Sequence, residues 1–267
     1  MFIKLFYPRI HILHRRAVSR QQQVHVELFH LGKAVQIRLQ RIVRPTFFGL
    51  HEKGEMREND VLIIAGDAGY VWNEDYIYKL ETLQQLFPGI IAFIDGNHEN
   101  HALLGSMEVT EWNGGRVHRA GERVYHLMRG EIYSIYGSNI FTFGGARSND
   151  IDRRTEGESW WREEEPTDEE TEYGRRQLTD SLDKIDYVIT HETPGFARDS
   201  ISRFKEIEPD YHLPGILDEW YREISNGKRF RKWYFGHMHV DQQITPDLRA
   251  IHNDILVLGE ETQIRWA

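Results

Sequence analysis

The sequence predicts an α/β domain built on buried, largely parallel strands, and three observations carry that prediction. Four apolar runs stop abruptly at metal-ligating residue types: VLIIAGD at Asp67, IIAFIDGNHE at Asn97 and His98, DYVITHETP at His191, and KWYFGHMH at His237 and His239. Each run of β-branched and aromatic residues reads as a buried strand. The order strand, helix, strand between residues 61 and 95 makes a βαβ unit. In open α/β sheets the ligand site lies beyond the carboxyl ends of the strands, which is where these residues fall.

The elements follow in order. Residues 1–23 are basic and aperiodic, and no regular structure is expected there. Residues 24–31, VHVELFHL, alternate apolar and polar and read as a first strand, so that one domain spans 24–267. Residues 46–58 read as helix and loop, and Glu58-Asn59-Asp60 turns into the strand at 61–66. Residues 75–87 carry apolar side chains at helical spacing and end at Pro88-Gly89. Residues 116–143 read as short strands separated by glycine turns, and 147–166 as a long loop. Pro166, Thr167 and Glu170 mark a capped helix start, with the helix running to about Ile185. Residues 249–266 read as closing strands.

Charge narrows the function classes. The net charge is −9, but residues 1–45 hold nine Lys or Arg against Glu27 (+8), which leaves 24 basic against 41 acidic residues (−17) for the body. An acidic body repels phosphate backbones, so no nucleic-acid partner is expected for it. The chain has no cysteine. That excludes disulfides and thiolate metal sites and fits a reducing, cytoplasmic location. No run is long enough for a membrane span. The N-terminal segment lacks a small-residue cleavage site, so no secretory signal is expected. Its five basic and no acidic residues over 1–26 leave a transit peptide as the minor alternative.

A buried strand-end carboxylate such as Asp67 is costly unless a cation meets it. Alone, it also reads as a turn Asp capping the next helix. Gly66 and Gly69 allow a sharp turn and a close approach. His237 and His239 flank Met238 and face one cluster if the backbone turns there. Of the 14 histidines, His25, His30, His51, His118, His126, His212 and His252 read as structural or surface residues, and His101 as a neighbour of the site. One carboxylate, one amide oxygen and several imidazoles suit a divalent ion such as Mn, Fe or Zn.

Taken together, GD, then GNHE 30 residues on, then a strand-end His before Pro194, then GHMH, resemble the calcineurin-like metallophosphoesterase family. The resemblance covers roughly 24–266. It implies a four-layer α/β/β/α sandwich of two mixed sheets flanked by helices, with two divalent metal ions between them. On the family pattern Asp67 bridges the ions, Asn97, His191 and His237 bind one, and His239 binds the other. His98 serves as general acid or transition-state stabiliser. The implied activity is hydrolysis of a phosphomonoester or phosphodiester by attack of a metal-bound hydroxide.

The family's first motif, Asp-x-His after the first strand, has no match in residues 1–60. By position Lys33 stands for its Asp and Val35 for its His, and neither ligates a cation. Three readings stay open. One metal is lost, leaving a weak enzyme or a non-catalytic relative that binds a phosphate-containing ligand or partner. Or His11, His14, His25 or His30 substitutes. Or the sequence recorded over residues 1–45 departs from the natural one through a frameshift or wrong start. GDAGYVW in place of GDxVDRG argues against the Ser/Thr protein phosphatase branch. A small phosphoester or nucleotide is the expected substrate. Arg147 is a candidate phosphate clamp or an ordinary surface Arg. Trp160-Trp161 either stack on a base or pack the loop, packing being preferred.

Overall fold

The computed structural model describes residues 2–4, 57–73, 75–201 and 210–258. Strand β1 (Phe2–Lys4) runs parallel to β2 (Val61–Ala65), which runs parallel to β3 (Ile90–Ile94). Helix α1 (Tyr76–Leu86) connects β2 to β3. Then follow helix α2 (His101–Gly105) and the antiparallel strands β4 (Val109–Trp112), β5 (Gly115–Arg119) and β6 (Val124–Leu127). With β13 (Leu256–Val257) they complete a seven-stranded sheet of order β13-β1-β2-β3-β6-β5-β4.

The second sheet begins with the hairpin β7 (Ile132–Ile135) and β8 (Ser138–Phe143). Helix α3 (Asp168–Asp180) leads to β9 (Tyr187–Thr190), and helices α4 (Gly195–Arg198) and α5 (Leu213–Ile224) lead to β10 (Lys232–Phe235). Strands β11 (Gln242–Thr245) and β12 (Leu248–Ala250) close a six-stranded sheet of order β11-β12-β10-β9-β8-β7. Both sheets are mixed, with parallel centres and antiparallel edges.

Period-two alternation inside each central strand sends side chains into two buried layers. Val61, Ile63 and Ala65 pack between the sheets with Ala92 and Ile94, against Tyr187, Ile189 and Tyr234 of the second sheet. Leu62, Ile64, Ile91 and Phe93 face the other way, under Leu80 and Leu83 of α1 and Leu104 of α2. Val188, Trp233 and Phe235 pack under Leu178 of α3 and Leu217 and Trp220 of α5. The result is the expected four-layer α/β/β/α sandwich. Burial on both faces is why these strands read as unbroken apolar runs.

Two differences stand out. Residues 2–4 are a strand, whereas no regular structure was expected over 1–23. The row of peptide groups on the open side of β2 needs a parallel partner, and a three-residue strand is too short to leave a period in the sequence. The rest of 1–23, the expected strand at 24–31 and the positions of Lys33 and Val35 lie outside the described residues. Helix α3 ends at Asp180, short of Ile185, because Lys184 and Ile185 donate back to the Ser181 carbonyl in a turn. The capping box at its start is present: Thr167 Oγ1 accepts from Glu170 N, and Thr167 N donates to Glu170 Oε2.

Candidate metal centre

Register brings the strand ends level. Ala65 lies opposite Ile94, and Phe143 and Phe235 both lie opposite Thr190. The residues that follow these strands therefore meet in the gap between the two sheets.

Asp67, His237 and His239 share a further property. They are three of the five non-glycine residues with positive φ among those described, at 51°, 60° and 52°. Left-handed backbone costs a side-chain-bearing residue about 1–3 kcal/mol and tends to persist at functional sites. Here it turns the chain immediately past β2 and β10. Met238 stays anchored in the outer core while the two flanking histidines turn away from it. Gly66, at φ +88°, has no alternative: a Cβ there would lie 2.0 Å from His191 Nδ1. At Gly96 a Cβ would lie 2.2 Å from Asp67 Oδ1.

Four predicted ligands converge. His191 donates Nδ1–H to the Ala65 carbonyl at 2.9 Å, which leaves Nε2 pointing at Asp67 Oδ1 and Asn97 Oδ1, each 3.2 Å away. His237 Nδ1 lies 3.1 Å from the same Asn97 oxygen. All four side chains are buried. His239 is half-buried, feels the Asp67 charge and lies tilted against His252, a residue read from the sequence as ordinary, with ring centroids 5.4 Å apart. Burial pushes the His237 and His239 imidazoles down to about 4, so they are neutral and keep a lone pair. Burial would lower His191 as well, but the Asp67 carboxylate outweighs it and pushes the imidazole up to about 9.

Does this donor set fit a cation? Asp67 Oδ2 is buried without a hydrogen-bond partner among the described residues. A neutral His191 would aim a lone pair at two oxygen lone pairs, an arrangement that only a positive charge makes favourable. A proton on His191 supplies one solution and a divalent ion between the donors supplies another. No group of three or more His, Asp or Glu side chains among the described residues is spaced to close on an ion. The donors are drawn into mutual hydrogen-bonding contact, and the fourth of them is an amide. Their chemistry suits a cation, which Asp67, Asn97, His191 and His237 would hold.

His98 takes a different position. Its backbone N–H donates to Asp67 Oδ1 at 3.0 Å, and its Nδ1 accepts from Arg154 at 3.2 Å. Arg154 is gripped in turn by both oxygens of Asp150. Arg147, the candidate phosphate clamp, is engaged elsewhere. It forms a two-pronged pair with Glu165 at 2.7 and 3.0 Å, pairs with Asp210 and lies over the Tyr211 ring. Trp161 is buried and meets Trp72 edge-on at 5.2 Å, which is the packing role.

Several further residues support the site, most of them without a role read from the sequence. Glu99 is fully buried and accepts Gly69 N–H at 3.2 Å and Gly96 N–H at 2.6 Å, tying the Asp67 turn to the Asn97 turn. Glu99→Ala leaves both amides unpaired, at about 1–3 kcal/mol each. The expected result is a loss of roughly 2–6 kcal/mol of unfolding free energy by urea titration; an unchanged midpoint would contradict it. Asp95 is clamped by Arg129 at 2.6 and 2.9 Å and by His126 at 3.1 Å. Glu192, beside His237, accepts from Tyr211, Arg198 and Thr193 N. His101 donates to the Gly96 carbonyl at 3.0 Å, the supporting position expected of it.

The sequence model of the calcineurin-like phosphoesterases matches residues 34–241. The chain belongs to the calcineurin-like phosphoesterase family. Members of this family hold two divalent ions and hydrolyse phosphoesters. Among solved structures, this chain is similar to the sulfate thiohydrolase SoxB of Thermus thermophilus in complex with glycerol, at 13% identity and a TM-score of 0.33. The match covers 85% of this chain and 41% of that one. No curated protein matches it. No helix among the described residues is long and apolar enough to cross a membrane.

Proposed function

We propose that this chain is a metal-dependent phosphoesterase acting on a small phosphomonoester or phosphodiester, nucleotides included, in the cytoplasm. The observation that carries the proposal is the convergence of Asp67, Asn97, His191 and His237, with one Asp67 oxygen left over. These residues would hold one divalent ion, manganese being a suitable choice, and His239 would serve a second. Such ions, when bound, activate water near neutral pH and offset charge on the phosphoryl oxygens.

The chain's own groups do the rest. Asp67 is oriented by the His98 amide, and the amide of Asn97 is held with its oxygen toward the imidazoles. The Arg154 contact gives His98 a defined tautomer. Because Nδ1 accepts, the ring proton sits on Nε2. Burial lowers His98 and Asp67 opposes it, with burial prevailing. His98 is then a neutral donor that hydrogen-bonds a leaving oxygen, which favours the stabiliser role over that of a cationic acid. Arg154→Ala is expected to lower kcat about 10–100-fold, less than the roughly 100–10,000-fold that a proton-transfer group itself contributes, because Arg154 acts only through His98. Metal content should stay at the parent level. Loss of metal in step with rate would remove the assigned role.

The direct test is hydrolysis of an aryl phosphate and a bis-aryl phosphodiester with manganese supplied, against chelated protein. Turnover that disappears with chelator is expected; metal-loaded protein that turns over neither substrate overturns the proposal. One observation favours a second reading: Lys33 and Val35 stand where the family has an Asp and a His. A protein that binds a phosphate-containing ligand or partner without turnover would hold at most one ion per chain and be thermally stabilised by ligand.

A further inference from the structure

Asn97 can present either its carbonyl or its NH2 to the metal donors, and the two differ only by a half-turn of the amide. We infer that Ser148, aimed by Glu164, decides which atom faces the site, and so acts as a positioning residue for the centre proposed above, on which this inference rests.

The three residues form a directed chain. Glu164 is buried, and its Oε1 accepts the Ser148 backbone N–H at 2.6 Å. Its Oε2 accepts the Ser148 hydroxyl at 2.8 Å. Burial pushes the Glu164 carboxyl up to about 7; once ionised it only accepts, so the hydroxyl proton is then committed to Glu164 and the Ser148 oxygen is left as an acceptor. Asn97 Nδ2 donates to that oxygen at 3.0 Å. The amide NH2 is thereby held on the Ser148 side, and Oδ1 is left with His191 and His237 at 3.2 and 3.1 Å. In the reverse orientation the NH2 would point at the donors, where its partial positive charge opposes a cation. Ser148 and Glu164 are each 2% exposed and Asn97 is 4%, so water does not compete for these bonds.

The loop that carries Ser148 and Glu164 is fastened to the same strand end that carries Asn97. Arg129, clamped on Asp95, donates to the Glu163 carbonyl at 2.6 Å. Gly145 N donates to the Asp95 carbonyl at 3.0 Å, and Ala146 N to the Glu164 carbonyl at 3.0 Å. The orientation of one amide is therefore built into the fold.

Partners that orient a metal ligand typically contribute about 10–100-fold in affinity. Manganese titration of parent and Ser148→Ala by calorimetry is expected to show at least about tenfold weaker binding in the variant. A carboxylate has two equivalent oxygens and no orientation to set. In an Asn97→Asp background the same Ser148→Ala change should therefore cost nothing further. Unchanged affinity in Ser148→Ala overturns the inference. So does an equal loss in both backgrounds, which would mark Ser148 as merely structural. A readout without metal separates this from the phosphoesterase assignment. The Asn97 side-chain NH2 should give a slowly exchanging nitrogen–proton pair in parent protein by NMR, and Ser148→Ala should release it. A parent with that protected pair and no manganese binding retains the inference and sinks the assignment. A pair equally protected in Ser148→Ala overturns the inference.

Discussion

Asp67→Asn is expected to abolish tight divalent-metal binding and to lower phosphoester hydrolysis at least about a thousandfold, a barrier increase of roughly 4 kcal/mol. The fold should survive. Asn keeps the side chain's shape and tolerates the left-handed backbone that this position adopts. What changes is charge. Burial alone would raise the Asp67 carboxyl, yet the neighbouring His191 and His98 outweigh it and hold it well below the ordinary carboxylate range. Asp67 is thus an anion at neutral pH, with one oxygen on His191 and the other without a hydrogen bond among the described residues. The amide removes that negative charge and places an NH2 among the donors. Elemental analysis after dialysis against manganese, the rate on a bis-aryl phosphodiester and the far-UV spectrum together check this. Stoichiometric metal in the variant, or a rate within tenfold of parent, would be incompatible with Asp67 as a ligand.

Arg129→Met is the second large effect, and it acts on stability. The Arg129 and Asp95 side chains are 7% and 2% exposed. Arg129 also pairs with Glu170 and holds the Glu163 carbonyl. Removing one partner of a buried ion pair costs about 3–5 kcal/mol, which is roughly a 10 °C lower Tm at this size.

The pH dependence has a definite sign. In the parent, burial would raise Asp95, but Arg129 and His126 prevail and hold it well below its ordinary value. Its contribution is present above the unfolded value of about 3.9 and is lost as the pH falls below it. Without Arg129, burial dominates and the carboxyl rises. The variant's deficit should then be largest near neutrality and shrink as the pH falls toward about 4. Urea midpoints at neutral and mildly acidic pH measure this. A deficit that grows in acid would rule out the account.

The converging residues were legible because a buried strand that breaks into Gly-Asp, Gly-Asn-His or Gly-His makes no sense as packing alone. The sandwich followed from the family resemblance that those motifs carried. Ser148, Arg154 and Glu164 stayed hidden in a charged loop that reads as a solvated face. Their partners lie 51, 56 and 16 residues away, and no local period encodes such a contact. The Asp95–Arg129 pair was hidden for the same reason, 34 residues apart. Strand β4 escaped because it is a half-exposed edge strand with no apolar run. Helix α5 has apolar residues at 213, 216, 217, 220 and 224, with Pro214 in its first turn. That spacing is a helix signal in the sequence itself.

The donors come in two pairs, Asp67 and Asn97 from one sheet and His191 and His237 from the other, and nothing covalent near the site fixes the gap between them. That gap is set by the side chains stacked between the sheets, such as Ala92 and Ile94 facing Ile189 and Tyr234. Packed interiors transmit even single-methylene changes, and a shift of about 1 Å in a reacting geometry can cost a hundredfold in rate. The inter-sheet layer is therefore a calliper. Swapping one of its aliphatic residues for a neighbour in size is a way to retune the centre without altering any group that touches it.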